Sequence, residues 1–148
     1  MGYTHYMRKL VPDKNLAEIT KKIVELGGVE ICGGLGTGKP VITENEIVLN
    51  GSERLNQDYE TFALTNPPED FNFTKTEYRP YDKVVVAILC SALYLKCKGS
   101  KNISSDGNYG DWDSSGGIDL FKKAYKEVFH EKVDDEKFTY MLKRRIGE

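Results

Sequence analysis

The feature that most constrains the fold is an almost uninterrupted apolar run from Val84 to Leu95. A helix over this run would be apolar on nearly all sides, which is typical of a helix buried in the middle of a domain. Pro80 is suited to its first helical position, and Asp82 would place negative charge near its amino terminus. At about twelve residues, the run is well short of the roughly twenty that cross a bilayer. We therefore predict a central buried helix and no membrane segment.

Three other segments have the residue spacing of amphipathic helices. The first begins after Asp13, which can serve as its N-cap, and ends at the Gly27-Gly28 pair. The second runs from about Ile118 to Phe129, and the third from Asp134 to Ile146. The third helix lies within residues 130–148, which we interpret as a C-terminal helical extension.

Alternation of apolar and polar residues predicts strands between these helices. It is present in residues 2–10, 59–64 and 71–78, while residues 41–50 are expected to form two short strands around a Glu/Asn turn. Asn50-Gly51 is interpreted as a turn. A chain of 148 residues is long enough for a single core without disulfides. The expected fold is one α+β domain over residues 1–148: a mostly antiparallel sheet packed against the central helix and two or three amphipathic helices.

The charge and cysteine content favour some classes of function over others. Twenty-one basic and twenty-three acidic residues give a net charge of −2 with no concentrated basic stripe, so binding of long nucleic acids is not expected. The three cysteines have no paired spacing, and the amino terminus lacks the apolar segment of a signal peptide. We therefore predict a cytoplasmic location. His5 and His130 do not have metal-ligand spacing, and we predict no metal and no cofactor.

A glycine-rich segment, residues 33–39, matches the first part of a P-loop, G-x-x-x-x-G-K. A P-loop next requires a Ser or Thr that binds magnesium and a helix whose amides face the phosphates. Pro40 has no hydroxyl, and the residues after it have a strand pattern. We therefore interpret the segment as a connection between strands.

A second segment, residues 111–122, partly matches a calcium-binding loop. Asp111, Asp113 and Asp119 occupy ligand positions, but position twelve is Lys122 instead of a bidentate Glu. Asp and Ser in front of a helix are also ordinary capping residues. Capping is the favoured interpretation, and calcium binding stays the alternative.

Several short motifs in residues 1 to about 129 occur together and in a fixed order. They are Gly2-Tyr3-Thr4-His5-Tyr6, Asn50-Gly51, Glu60-Thr61-Phe62, Lys75-Thr76, Arg79-Pro80-Tyr81-Asp82, Ser104-Ser105-Asp106-Gly107 and Trp112. In these motifs the chain resembles the small, largely uncharacterised proteins of bacteriophages and prophages that begin Met-Gly-Tyr-Thr-His-Tyr. It differs from them at Thr74, where family members often carry Cys, and in a longer segment after Gly107. The difference at Thr74 argues for side chains that hold a ligand without attacking it.

The resemblance implies a ligand cleft built from three of these segments. Polar residues at a strand end and the first turn of a helix would bind an anion, and a serine-rich loop would add hydrogen bonds. Tyrosines near the amino terminus would offer stacking faces. For each residue alone, a structural role as an ion pair, sheet residue or cap is the alternative. The candidate ligand-binding residues are Tyr3, His5, Tyr6, Lys75, Thr76, Arg79, Asp82, Ser104, Ser105, Asp106 and Trp112.

Three functions follow as hypotheses. The first is a phage-encoded sponge that binds a small nucleotide-derived host immune signal in the cytoplasm and sequesters it without turnover. The second is a small hydrolase or transferase with His5 as base and Asp106 or Asp111 in an orienting or metal-binding role. The third is a protein-binding inhibitor or structural module, with a possible homo-oligomer formed through residues 134–146.

Overall fold

The computed structural model describes residues 2–148, and its centre is helix α2, Asp82–Tyr94. Every residue from Val84 to Leu93 is buried, as the apolar run predicts. The prediction for Pro80 is wrong, because the helix begins two residues later. Tyr81 is the N-cap, and its carbonyl accepts from the N–H groups of Val84 and Val85.

The amphipathic helices pack around α2. Helix α1 is Lys14–Leu26, with the Asp13 carboxylate accepting from the Leu16 N–H at 2.8 Å, and helix α4 is Gly117–Phe129. Helix α5, Asp135–Ile146, contacts α2 and buries Phe138 and Leu142 completely. The chain is a single-domain α+β fold in which α5 contributes to the same core as the other helices. The apolar face of α5 is thus covered by the rest of the chain.

A three-stranded antiparallel sheet brings three distant segments together. Its central strand is β1, Thr4–Met7, flanked by β6, Asn72–Lys75, and β7, Ser104–Ser105. His5 is in register with Thr74 on one side and Ser105 on the other. Tyr3, His5 and Met7 are buried, as the alternation predicts, but Thr4 is buried as well, and the strand covers only residues 4–7 of the predicted 2–10.

The second sheet forms around β4, Glu46–Gly51, which pairs antiparallel with β2 (Ile31–Cys32), β3 (Val41–Ile42) and β5 (Phe62–Thr65). The interpretation of Asn50-Gly51 as a turn is wrong, because both residues pair with β2. The Asn50 amide donates to the carbonyls of Gly34 and Tyr59, each at 3.0 Å, and fastens two loops to the strand. Gly51 is needed because a Cβ there would overlap the backbone of Gln57.

Residues 95–116 lie between α2 and α4 and contain further secondary structure. They form a 3-10 turn at Ser100–Asn102, strand β7 and the short helix α3, Tyr109–Ser114. Residues 33–39 connect β2 to β3, as predicted. No helix in the described part of the chain has the length and apolar character needed to span a bilayer.

Candidate functional site

His5 is the centre of a hydrogen-bond chain that links the three predicted segments of the site. Its Nε2 lies 2.6 Å from Asp82 Oδ1, and its Nδ1 lies 2.8 Å from Ser105 Oγ. Asp82 Oδ1 also accepts from the Thr76 hydroxyl at 2.6 Å. His5 and Thr76 are fully buried, and Asp82 is 4% exposed. Strands β1 and β7 and the start of α2 thus meet around one imidazole.

The proton positions in this chain follow from its hydrogen bonds. Ser105 Oγ accepts from the Gly107 N–H at 3.0 Å and from the Trp112 indole N–H at 3.2 Å. These two bonds occupy the acceptor capacity of a hydroxyl, so Ser105 donates its proton to His5 Nδ1. Because Nδ1 accepts this hydrogen bond, the ring N–H of His5 is at Nε2, and it donates to the Asp82 carboxylate. A hydroxyl–imidazole–carboxylate chain results, and Trp112 and Gly107 hold its serine end.

Tyr78 forms an exposed aromatic platform next to this chain. The residue is 67% exposed, and its ring stacks on the buried Tyr3, with centroids 3.8 Å apart and planes at 20°. Tyr3 in turn meets the His5 ring edge-on at 5.1 Å. The platform is therefore rigidly supported by the buried chain.

The backbone that presents Tyr78 is strained. Glu77 and Tyr78 have φ values of 53° and 59°, a left-handed conformation that costs roughly 1–2 kcal/mol for a non-glycine residue. Tertiary hydrogen bonds hold it in place: the Glu77 carboxylate accepts from the Tyr3 N–H at 2.9 Å, and the N–H groups of Thr76 and Glu77 both donate to the Tyr3 carbonyl. Strain maintained in this way is characteristic of functional sites.

A cleft of about 420 Å³ lies beside the platform. Tyr78, Arg79 and Lys83 line it on the side of α2, and Asp111 and Ser115 line it on the side of α3. Asp82 also lines the cleft, so the buried chain reaches its wall. The Arg79 guanidinium donates to the Asn56 carbonyl at 3.1 Å and is not paired with a carboxylate in the described residues.

The charges around the cleft are balanced, with two cations and two carboxylates among the lining residues. The pKa of Tyr78 is raised, first because its neighbours partly remove the phenol from water and then because the charges of Asp111 and Asp82 are close to it. Burial also raises the pKa of Tyr3, with Asp82 as the next contributor. Both phenols therefore stay protonated at neutral pH and can donate hydrogen bonds.

The cysteine thiols have no part in this site. Cys32, Cys90 and Cys97 are all buried. Burial raises the pKa of Cys90 well above its ordinary value and raises the pKa of Cys97 to about 12. Because the thiolate is the reactive form, these two thiols are poor nucleophiles at neutral pH.

Several predicted site residues lie together, but only two of them line the cleft. Arg79 and Asp82 do so, whereas the buried Tyr3, His5, Thr76 and Trp112 and the partly buried Ser105 support it from behind. The other four predicted residues are not among those that line it: Tyr6, Lys75, Ser104 and Asp106.

Those four residues have structural contacts. Asp106 accepts from the Thr4 N–H and from the Tyr6 hydroxyl, each at 3.0 Å, and so fastens β7 to β1. Ser104 pairs with Tyr6 in the strand ladder, and the Lys75 N–H donates to the Glu60 carboxylate at 2.8 Å. The carboxylate that orients His5 is Asp82, not Asp106 or Asp111.

Sequence reasoning missed Glu77, Tyr78 and Lys83. No local signal marks the first two, since glycine and asparagine are the usual residues at positive φ and neither is present there. Asp111 takes the capping role that the sequence analysis favoured over calcium binding. Its carboxylate accepts from the Asn108 N–H at 2.9 Å and closes a capping box at the start of α3.

Within residues 2–148, no group of three or more His, Cys, Asp and Glu side chains is placed to hold a metal ion. No family model matches the chain, and neither a curated protein nor a solved structure matches it.

Proposed function

We propose that this chain is a phage-encoded binding protein that sequesters a nucleotide-derived host immune signal in the host cytoplasm. The observation that carries the proposal is the exposed Tyr78 ring, which a strained backbone and the buried Tyr3 hold at the edge of a cleft. The phage origin and the immune role rest on the family resemblance of the sequence.

The size and chemistry of the cleft suit such a ligand. Its volume of about 420 Å³ lies within the range of small-molecule sites, roughly 300–1,000 Å³. A base would stack on Tyr78, and a phosphate would meet Arg79 and Lys83. Asp111, on the opposite side, would accept hydrogen bonds from ribose hydroxyls.

Binding without turnover is supported by where the reactive groups lie. The His5 imidazole is fully buried, and both of its nitrogens are engaged. The hydroxyl of Ser105 is held by three partners, and the Cys90 and Cys97 thiols have raised pKa values. The groups that a ligand contacts in the cleft therefore bind it, and the potential nucleophiles lie behind them.

The test is to expose the purified protein to extract from immune-activated bacteria, denature it, and identify the released small molecules by mass spectrometry. We expect an intact nucleotide-like compound, retained by Tyr78→Phe and lost from Tyr78→Ala, because only the first variant keeps the stacking face. Equal retention by both variants would show that the Tyr78 ring is not part of the binding site.

A hydrolase or transferase is the second candidate, favoured by the hydroxyl–imidazole–carboxylate chain of Ser105, His5 and Asp82. In this reading, His5 takes the proton of Ser105 and Asp82 orients the imidazole. If the parent chain released a cleaved compound and the Ser105→Ala variant released the intact compound, the protein would be an enzyme and not a sponge.

A further inference from the structure

A second concave surface lies at the carboxyl end of α2, away from the residues that line the Tyr78 cleft. Two adjoining depressions, of about 530 and 290 Å³, share Leu93, Lys101 and Met141 in their walls. We call the two together the basic groove, because five cationic side chains line it. These are Lys96, Lys98, Lys101, Arg144 and Arg145.

The cations of the basic groove are not neutralised by acidic side chains. Across the described residues, 2–148, no Asp or Glu lines either depression, and none of the five cations forms an ion pair. Lys96, Lys98, Lys101 and Arg144 are exposed. This concentration of positive charge occurs in a chain whose net charge is −2.

Local helix chemistry explains only part of this arrangement. Basic residues near the carboxyl end of a helix offset its dipole, which accounts separately for Lys96 beyond α2 and for Arg144 at the end of α5. The helix dipole does not require the two helix ends to meet. Arg145 donates a hydrogen bond to the Lys101 carbonyl and thereby fixes the end of α5 beside the 3-10 turn. Tertiary packing thus brings together two basic clusters that are far apart in the sequence, since Arg145 follows Lys101 by 44 positions.

The groove also has an apolar surface that a phosphate alone would not use. Leu93 and Met141 line both depressions, and Tyr140, which lines the smaller one, is 63% exposed. The Arg144 guanidinium lies 5.6 Å from the centroid of the Tyr140 ring and donates to its hydroxyl at 3.1 Å. An aromatic group could pack beside these residues while its phosphates meet the cations.

We infer that the basic groove binds a phosphorylated small molecule with a flat ring, of the nucleoside polyphosphate class. Clustered guanidinium and ammonium groups bind phosphate oxygens through charge-assisted hydrogen bonds. The balanced charges of the Tyr78 cleft do not provide such a concentration. This site is independent of the proposed function, because it shares no lining residue with that cleft.

The test is calorimetric titration of the full chain with ATP and, separately, with inorganic tripolyphosphate. We expect ATP to bind more tightly than tripolyphosphate and added NaCl to weaken both, because salt screens the cations. Lys101→Glu and Arg144→Glu should each weaken ATP binding by about tenfold or more. The matched control is Lys21→Glu, an exposed lysine on α1 that lines neither depression.

Three outcomes of the titrations would overturn the inference. They are no ATP binding at low salt, an equal loss of affinity in Lys21→Glu, and tripolyphosphate binding as tightly as ATP, which would remove the ring from recognition. Lys101→Glu should leave unchanged the retention of the compound that depends on Tyr78, because Lys101 does not line the cleft, so a failure here is distinguishable from a failure of the cleft. Binding of anionic vesicles or single-stranded RNA without binding of ATP would also reject the small-molecule assignment.

Discussion

His5 Nε2 lies 2.6 Å from Asp82 Oδ1, although the two residues are 77 positions apart in the sequence. This bond joins the central strand of one sheet to the first residue of the central helix. Asp82 also lines the cleft. The stability of the domain and the shape of the candidate site therefore depend on the same buried carboxylate.

Removal of that carboxylate should destabilise the domain strongly. Asp82→Ala leaves the His5 and Thr76 donors without an acceptor inside the core, and we expect a loss of about 3 kcal/mol in the free energy of unfolding. Urea denaturation followed by the fluorescence of Trp112 measures it. Asp70→Ala is the control, since the Asp70 side chain is 88% exposed, and it should change stability by less than about 0.5 kcal/mol.

Two glycines near the site should respond oppositely to alanine. A Cβ at Gly107 would overlap the Tyr3 phenol, so Gly107→Ala should cost about 2 kcal/mol. At Gly110, in α3, the nearest atom to a new Cβ is Asn108 Oδ1 at 3.4 Å. Gly110→Ala should therefore be neutral or stabilise by up to about 1 kcal/mol. Melting temperatures compare the two variants, and a similar change in both would contradict the prediction.

Helix α5 should be required for folding of the whole domain. Phe138 is fully buried and packs against Phe121 with ring centroids 4.9 Å apart, so Phe138→Ala should cost about 3–5 kcal/mol. Tyr140→Ala, on the exposed side of the same helix, should cost less than about 1 kcal/mol. Chemical denaturation measures both changes. A chain cut after Phe129 that kept full stability would show that α5 is only an appendage.

The Cys97 thiol should make stability depend on pH in the alkaline range. Burial raises its folded pKa from 9.0 to about 12, with the Asp13 carboxylate as the next contributor. The unfolded chain therefore releases this proton first. The corresponding stability is fully present below about pH 9 and is lost as the pH rises toward 12.

Denaturant midpoints between pH 7 and pH 10.5 test this expectation. They should fall more steeply in the parent chain than in Cys97→Ala, which lacks the titrating group. Equal slopes in the two proteins would mean that the thiol makes no such contribution.

Much of the helical architecture could be predicted from local sequence. The apolar run that became α2 and the stripes of α1, α4 and α5 are periodic patterns whose burial requires no knowledge of distant residues. The strand at residues 4–7 was predicted for the same reason. Asn50-Gly51 was misread because the usual turn signal is overridden by pairing with β2 and by the close approach of Gln57.

The sequence by itself determined the fold class and the central helix, because hydrophobic periodicity is a local property. Only the tertiary structure decided that Asp82 and Ser105 are the partners of His5 and that Tyr78 is the exposed face. It also placed the lysines after α2 beside the arginines of α5. These relationships depend on strand register and helix packing between segments that are far apart in the chain, and no local pattern encodes them.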